Sequence, residues 1–505
     1  MRSSNPPRGS YPWLAAALTT YVILRLPSLW EPHWYTDEAG YANTAWLMSH
    51  GLTLYGQVWN NKPPVFFALY QLVLWAFGPS EIGLHLASLI AGLIALMGIW
   101  RLARGDLGWR RAAAAVGLAA LLLGTPLLDG DLALPENFLI APAIWAMVFT
   151  VSASRRSRAP VAVGMGCLAG GLFAMAILIQ QTALADCLAA AVWLAAASNR
   201  ARLALVGMLA GALAVITAVM TPFVVAAGAH NVAFQLVTSF VGYTRQSLPL
   251  SWQSVLPRAI IAVAIAVGCC GAGALKGEKA LYWLWLGLTA AAAVLPNRAY
   301  VHFSLPLVAP LVLLAAGSRW PTRLAREIGQ RHRGLLLRLA AVAGTGMWTA
   351  MLVVGGQGGL NPVSYYSQFA AYAVGASSYV SWERSFGAGT LSQQEAASWI
   401  VEHKLSNVTA TAWSADSWVL VLADLKPVTP AAVTYVNLAW FGAPATMARI
   451  ESQQPVLIIT GSQGLANWSE IKPLLRSSYR PIHTVGTTKV WELMSAIGQP
   501  VSNTR

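Results

Sequence analysis

Apolar segments of roughly 20 residues recur along this chain, and that recurrence limits its fold more than any other feature. The first covers 11–30, and later ones cover 81–102, 112–128, 137–153, 160–178, 182–198, 203–227, 256–275, 279–296, 299–317 and 335–355. A bilayer core offers no water to unpaired backbone groups, so single segments of this kind cross it as helices. The expectation is a mostly α, polytopic membrane protein with about eleven transmembrane helices. Composition agrees: only 10% of the 505 residues are charged, against about 25% in soluble domains. The apolar stretch 64–78 is too short to span and is expected to lie at the outer interface.

The net charge of +14 raises the question of a nucleic-acid partner. The basic residues answer it. Arg101, Arg104, Arg110 and Arg111 share one short loop, and Arg155, Arg156 and Arg158 share the next on the same side. Arg200 and Arg202 follow, then Lys276 and Lys279, then six arginines from Arg319 to Arg338. The opposite loops hold Lys62, Arg245, Arg258 and Arg298 alone. This is the positive-inside pattern, so the reading has no nucleic acid. It puts the protein in the cell's inner (plasma) membrane, the N-terminus in the cytoplasm and the C-terminus outside. Arg2 and Arg8 precede the first segment without a convincing cleavage site, which reads as an uncleaved span. Cys167, Cys187, Cys269 and Cys270 all lie in apolar segments and read as small buried hydrophobes.

Residues 1–355 therefore form a membrane domain with an outer loop at 31–80. The tail, 356–505, differs in kind. It is expected to hold helices at 391–404 and 443–451 and strands at 408–413, 455–460 and 489–493, making a small outer α/β domain. Ser392 and Glu395 have capping-box spacing. The tail carries no phosphate loop and no nucleophile motif.

The rare polar residues gather on the outer side. The first loop opens on Asp37 and Glu38 and closes on Lys62-Pro63-Pro64. Thr36 or Asp37 can cap a helix over 39–50. The pair also suits a carboxylate that activates an acceptor, with Lys62 as the cation that holds an anionic donor. Asp129, Asp131 and Glu136 follow in a second acidic stretch, LDGDLALPENF. Gln180, Gln181 and Thr182 interrupt an apolar run, and Arg298 and His302 flank the start of another. A cation at the outer mouth is what a lipid-linked phosphate needs.

These stretches carry a resemblance. Thr36-Asp-Glu-Ala-Gly-Tyr-Ala42, the Lys62-Pro63-Pro64 close and the segment after it resemble the first outer loop of GT-C membrane glycosyltransferases. The nearest group is the protein O-mannosyltransferase-like family, which includes the bacterial aminoarabinose transferases of lipid A. Pro135-Glu-Asn-Phe138 resembles that group's second acidic motif, and Arg298 to His302 with Phe303 and Pro306 resembles its Arg…His-Tyr…Pro stretch. Where relatives often carry Lys-Gln, this chain has Gln180-Gln181, which removes one phosphate-binding cation.

The resemblance implies a polyprenyl-phosphate sugar donor and inverting transfer at the outer face. The acceptor would be an envelope glycan, lipid A or a protein hydroxyl, and membrane lipids surround the site. Asp37 is then the general base, with Glu38 or Glu136 positioning the acceptor. Lys62, Arg298 and His302 stabilise the departing phosphate, and Tyr41, Asn61 and Gln181 are candidate substrate contacts. No metal site is assigned, although paired carboxylates with a histidine are compatible with a divalent ion. The competing class is a transporter or lipid-linked sugar flippase, which predicts inverted repeats that this sequence does not display.

Overall fold

A computed structural model describes residues 11–239, 277–294, 300–317, 360–414, 417–461 and 468–496. The expected spans at 256–275 and 335–355, the boundary at 355/356 and Arg298 lie outside these residues.

The expected apolar segments appear as helices. They are α1 (Tyr11–Arg25), continued by a 3-10 turn to Trp30, α4 (Glu81–Leu107), α5 (Trp109–Gly124), α6 (Pro135–Ser154), α7 (Ala159–Ile179), α8 (Leu184–Ala196) and α9 (Asn199–Ala227). Further helices cover Glu278–Val294 and Val308–Gly317, the latter entered through a 3-10 turn at Val301–Leu307. By length and composition, five helices among the described residues can cross a membrane: Tyr11–Trp30, Glu81–Leu107, Pro135–Ser154, Ala159–Ile179 and Ala201–Ala227. Two of the eleven expected spans lie outside the described residues, so this is no count for the whole chain. Prolines at the N-terminal turns of α6 and α7 start those helices where a backbone donor is not needed. Gly108, at φ 81°, ends α4 and begins α5, a conformation that glycine takes without a Cβ clash.

The closest packing in the bundle is between α7 and α9. Gly166 and Gly170 on one helix meet Gly207 and Gly211 on the other. A Cβ at Gly166 or Gly170 would strike the carbonyl oxygen of Ala204 or Met208, and one at Gly207 or Gly211 that of Val163 or Cys167. Spacings of four on both partners make a reciprocal small-xxx-small interface, which suits helices in lipid because backbones can approach closely. Gly170→Leu is expected to destabilise the protein by about 3 kcal/mol or more, because a backbone carbonyl cannot move aside as a side chain can. Thermal unfolding in detergent checks this, and an unchanged melting temperature would refute it.

Two short helices carry the first loop. The first, α2 (Thr36–Ser49), starts three residues earlier than expected and has Tyr35 at its N-cap with no side-chain cap. The Thr36 or Asp37 cap is therefore absent, and the Asp37 carboxylate is not consumed by it. The second, α3 (Pro64–Phe77), is fourteen residues long, or about 21 Å. Phe66, Phe67 and Tyr70 are buried on its inner side, and Leu72, Trp75 and Phe77 are exposed on the other. After α9, Ala229–Ala233 is helical and Phe234–Thr238 a π-turn. The described part ends at 239.

The C-terminal residues form the expected α/β unit around a five-stranded mixed sheet of order β2-β1-β3-β5-β4. Its strands are β1 (Thr409–Trp413), β2 (Lys426–Pro427), β3 (Leu457–Thr460), β4 (Tyr479–Val485) and β5 (Thr488–Leu493). β1 pairs in parallel with β2 and β3, while β5 runs antiparallel to β3 and β4. The capping box is not formed. Its helix starts at Ala388, which leaves Ser392 inside, donating its hydroxyl to the Gly389 carbonyl at 3.0 Å.

This unit packs on the first loop. Trp382 Nε1 donates to the Trp30 carbonyl at 2.7 Å and the Tyr365 hydroxyl to the Glu31 carboxylate. The Trp59 amide donates to the Pro430 carbonyl at 2.9 Å. The His33 ring meets the buried Trp418 edge-on at 4.6 Å. At the opposite end of the bundle, Arg155 pairs with Glu278.

Candidate active site

Asp37 and Glu38 are neighbours in the first turn of α2, where the helix dipole favours negative charge. Successive helical residues point about 100° apart, so the two carboxylates cannot serve one site equally. Asp37 keeps part of its surface exposed, whereas Glu38 is fully buried against α4. Burial lifts the Asp37 carboxyl above its usual range. The charges of His302 and Lys62 pull it back, and those of Glu136 and Glu38 add to the lift. Asp37 therefore sits within the field of the loop cation, the histidine of the 301–307 turn and the second acidic stretch.

Lys62 is fixed from behind. Its amide donates to Asn60 Oδ1 at 3.2 Å, and its carbonyl accepts from the Tyr55 hydroxyl at 2.8 Å. The ammonium lies 5.9 Å from the centre of the Tyr41 ring and donates to Gln180 Oε1 at 3.1 Å. The same amide group donates from Nε2 to Glu136 Oε1 at 2.9 Å. Gln180 thus stands between cation and carboxylate, bonding both and keeping them from a direct ion pair. The amide acts as a spacer between the two charges.

Asp129 has φ 53°, a left-handed conformation that is uncommon outside glycine. The Asn137 side chain holds it there, with Nδ2 3.2 Å from the carbonyls of both Asp129 and Gly130. In this pose Asp129 Oδ2 lies 2.9 Å from His302 Nδ1. A carboxylate only accepts, so Nδ1 carries the hydrogen and Nε2 is the atom left for a ligand. Burial raises the Asp129 carboxyl, opposed by the hydrogen bond and charge of His302. The imidazole stacks on Tyr300, with centroids 5.5 Å apart and planes at 10°. Asp129→Asn is expected to lower turnover by about 10- to 100-fold, the worth of one hydrogen bond to a charged group. Donor affinity should change less, and a variant with wild-type turnover would remove Asp129 from the site.

The other named residues divide. Glu136 and Tyr41 line the same cluster through Gln180 and Lys62. Gln181 donates to the carbonyls of Asn61 at 2.7 Å and Leu236 at 3.3 Å, tying the first loop to the 234–238 turn. Asn61 enters through that carbonyl. Glu38 points elsewhere: its Oε1 accepts from the Ala133 amide at 2.5 Å and lies 3.3 Å from His85 Nε2. Asp129, Gln180, Tyr300 and Tyr55 were missing from the roles expected of the sequence. The Asp129-Gly130 pair, a turn-forming dipeptide in an acidic stretch, was the available signal for the first of them.

Residues 61–225, about a third of the chain, match the family described as dolichyl-phosphate-mannose-protein mannosyltransferase. That stretch contains Lys62, Asp129, Glu136 and Gln180. No curated protein matches the sequence. Among solved structures, ArnT from Cupriavidus metallidurans bound to undecaprenyl phosphate is similar with a TM-score of 0.60. The match covers 97% of this chain and 99% of that one at 17% identity. Its apo form gives 0.59 at 15% identity over the same shares. The fold is that of the GT-C glycosyltransferases. The membrane helices and the small α/β domain both fall within the aligned length. The resemblance read from the first loop is thus met at the level of fold.

Proposed function

We propose that the chain is an inverting glycosyltransferase that moves a sugar from a polyprenyl-phosphate donor to a hydroxyl acceptor at the outer membrane face. The observation that carries this reading is the convergence on Asp37 of a cation on the first loop and a histidine on the 301–307 turn. The acceptor oxygen attacks the anomeric carbon, the sugar–phosphate bond breaks, and Asp37 takes the acceptor's proton. A partly exposed carboxylate with a raised affinity for protons suits that task. The departing lipid phosphate gains charge, which the Lys62 ammonium meets, and to which His302 donates from Nε2 when its ring is doubly protonated. Glu136 holds Lys62 at a fixed distance through Gln180, and Asp129 orients the imidazole by accepting from its Nδ1 hydrogen.

A narrow crevice lies beside Glu136, lined by Leu139, Ala292, Ala293, Phe303 and Pro306, with Asp186 at one side. Asp186 is occupied structurally, accepting from Trp285 Nε1 at 2.7 Å and Thr289 Oγ1 at 2.6 Å.

The test uses membranes of the protein's own host. Lipid-linked sugars are followed with and without the chain, and free polyprenyl phosphate is measured as product. The proposal expects donor loss matched by phosphate release. Movement of intact donor across the membrane without release would replace it with the flippase reading.

A further inference from the structure

His85 lies on α4 one turn after Glu81 and faces Glu38 of α2. All three are buried, with Glu38 and His85 at 0% exposure and Glu81 at 3%. His85 Nδ1 is 2.6 Å from the Ser28 carbonyl oxygen. A carbonyl only accepts, so that nitrogen carries its hydrogen. The other nitrogen, Nε2, lies 3.3 Å from Glu38 Oε1 and 3.5 Å from Glu81 Oε2. Three lone-pair atoms therefore converge within 4.8 Å of one another. Such a gathering is held either by a proton on one of the three groups or by a metal ion.

The surroundings favour the metal ion. Glu31 and Asp131 are buried nearby, at 3% exposure each, making four carboxylates in one region. The neighbouring cation, Arg25, directs its bonds to neutral acceptors instead: the carbonyls of Gly130 and His85 and the Ser88 hydroxyl. Glu38 Oε2 and Asp131 Oδ1 are buried without a hydrogen-bond partner. One proton offsets a single negative charge, whereas a divalent ion offsets two. The separations also suit zinc. Ligands about 2.0–2.1 Å from a tetrahedral ion stand roughly 3.3 Å apart, close to the spacing of Nε2 from each carboxylate. A ligating histidine commonly donates its second ring hydrogen to a backbone carbonyl, as His85 does to Ser28.

We propose that Glu38, Glu81 and His85 bind one divalent transition-metal ion, zinc or manganese by ligand type, in a structural site apart from the cluster around Asp37. Its ligands fasten α2 to α4. Through Ala133, Glu38 also holds the turn that carries Asp129. The ion would thereby fix the two segments that present Asp37 and Asp129.

Full-length protein purified in detergent, without chelators or metal-affinity resin, tests this by elemental mass spectrometry and thermal unfolding. The expected result is about one zinc or manganese per chain. The metal should be lost in His85→Gln and Glu81→Gln and kept in Asp129→Asn. EDTA should lower the melting temperature, and ZnCl₂ or MnCl₂ should restore it. Metal-free wild-type protein whose melting temperature ignores both salts would overturn the proposal and leave a proton on one of the three groups. Metal that persists in both ligand variants would overturn it too. If those variants do not fold, the wild-type metal content and its melting response decide.

Discussion

An Asp37→Asn protein is expected to lose sugar transfer by about 10²- to 10⁴-fold, the usual contribution of a positioned general base, while folding and donor binding stay close to wild type. The asparagine keeps the shape and cannot take a proton. The segment should hold, because the α2 N-terminus uses no side-chain cap from Asp37. A pH profile adds an independent check. The base works only when ionised, and burial raises its pKa. Activity should therefore fall as the solution is acidified through that raised value, starting at higher pH than for an exposed carboxylate. Residual activity in Asp37→Asn should lack that limb. Transfer measured across about pH 4 to 8 would count against the assignment if both proteins gave the same curve.

Lys62→Ala is expected to weaken donor binding by about 10- to 100-fold, the worth of a charge-assisted hydrogen bond to phosphate. The ammonium has neutral neighbours, the Gln180 amide and the Tyr41 ring. Its charge therefore remains available to a ligand. Lys62→Arg should recover part of the affinity, since it keeps the charge but not the point geometry. Binding of undecaprenyl phosphate to the purified variants is the measurement. Equal affinity of Lys62→Ala and wild type would take the lysine out of the phosphate site.

Much of this was legible in the sequence because hydrophobic length is a local property. Span positions from 81 to 227 were placed to within a few residues. In the tail, β1, β3 and β5 were marked by apolar runs. β4 was not, since Pro481 and its polar neighbours read as loop; an exposed edge strand tolerates them. The packing of α7 on α9 through Gly166, Gly170, Gly207 and Gly211 depends on two helices meeting, which neither stretch announces alone. The site divides in the same way. Asp37 and Lys62 stood out through their types beside a membrane. Glu38 looked equivalent to Asp37, and a rotation of about 100° per residue sends it to His85 instead. Gln180 looked like a lost cation and serves as the link between Lys62 and Glu136.

The most direct test of transfer by Asp37 compares envelopes from a deletion strain carrying the wild-type chain, Asp37→Asn or neither. Lipids and proteins are examined by mass spectrometry. The account predicts a sugar-sized mass on one envelope component that only the wild-type chain restores. That mass would also name the sugar and the acceptor. Full restoration by Asp37→Asn would contradict the general-base role. Envelopes without any difference, with lipid-linked sugar accumulating on one side of the membrane, would contradict transfer itself.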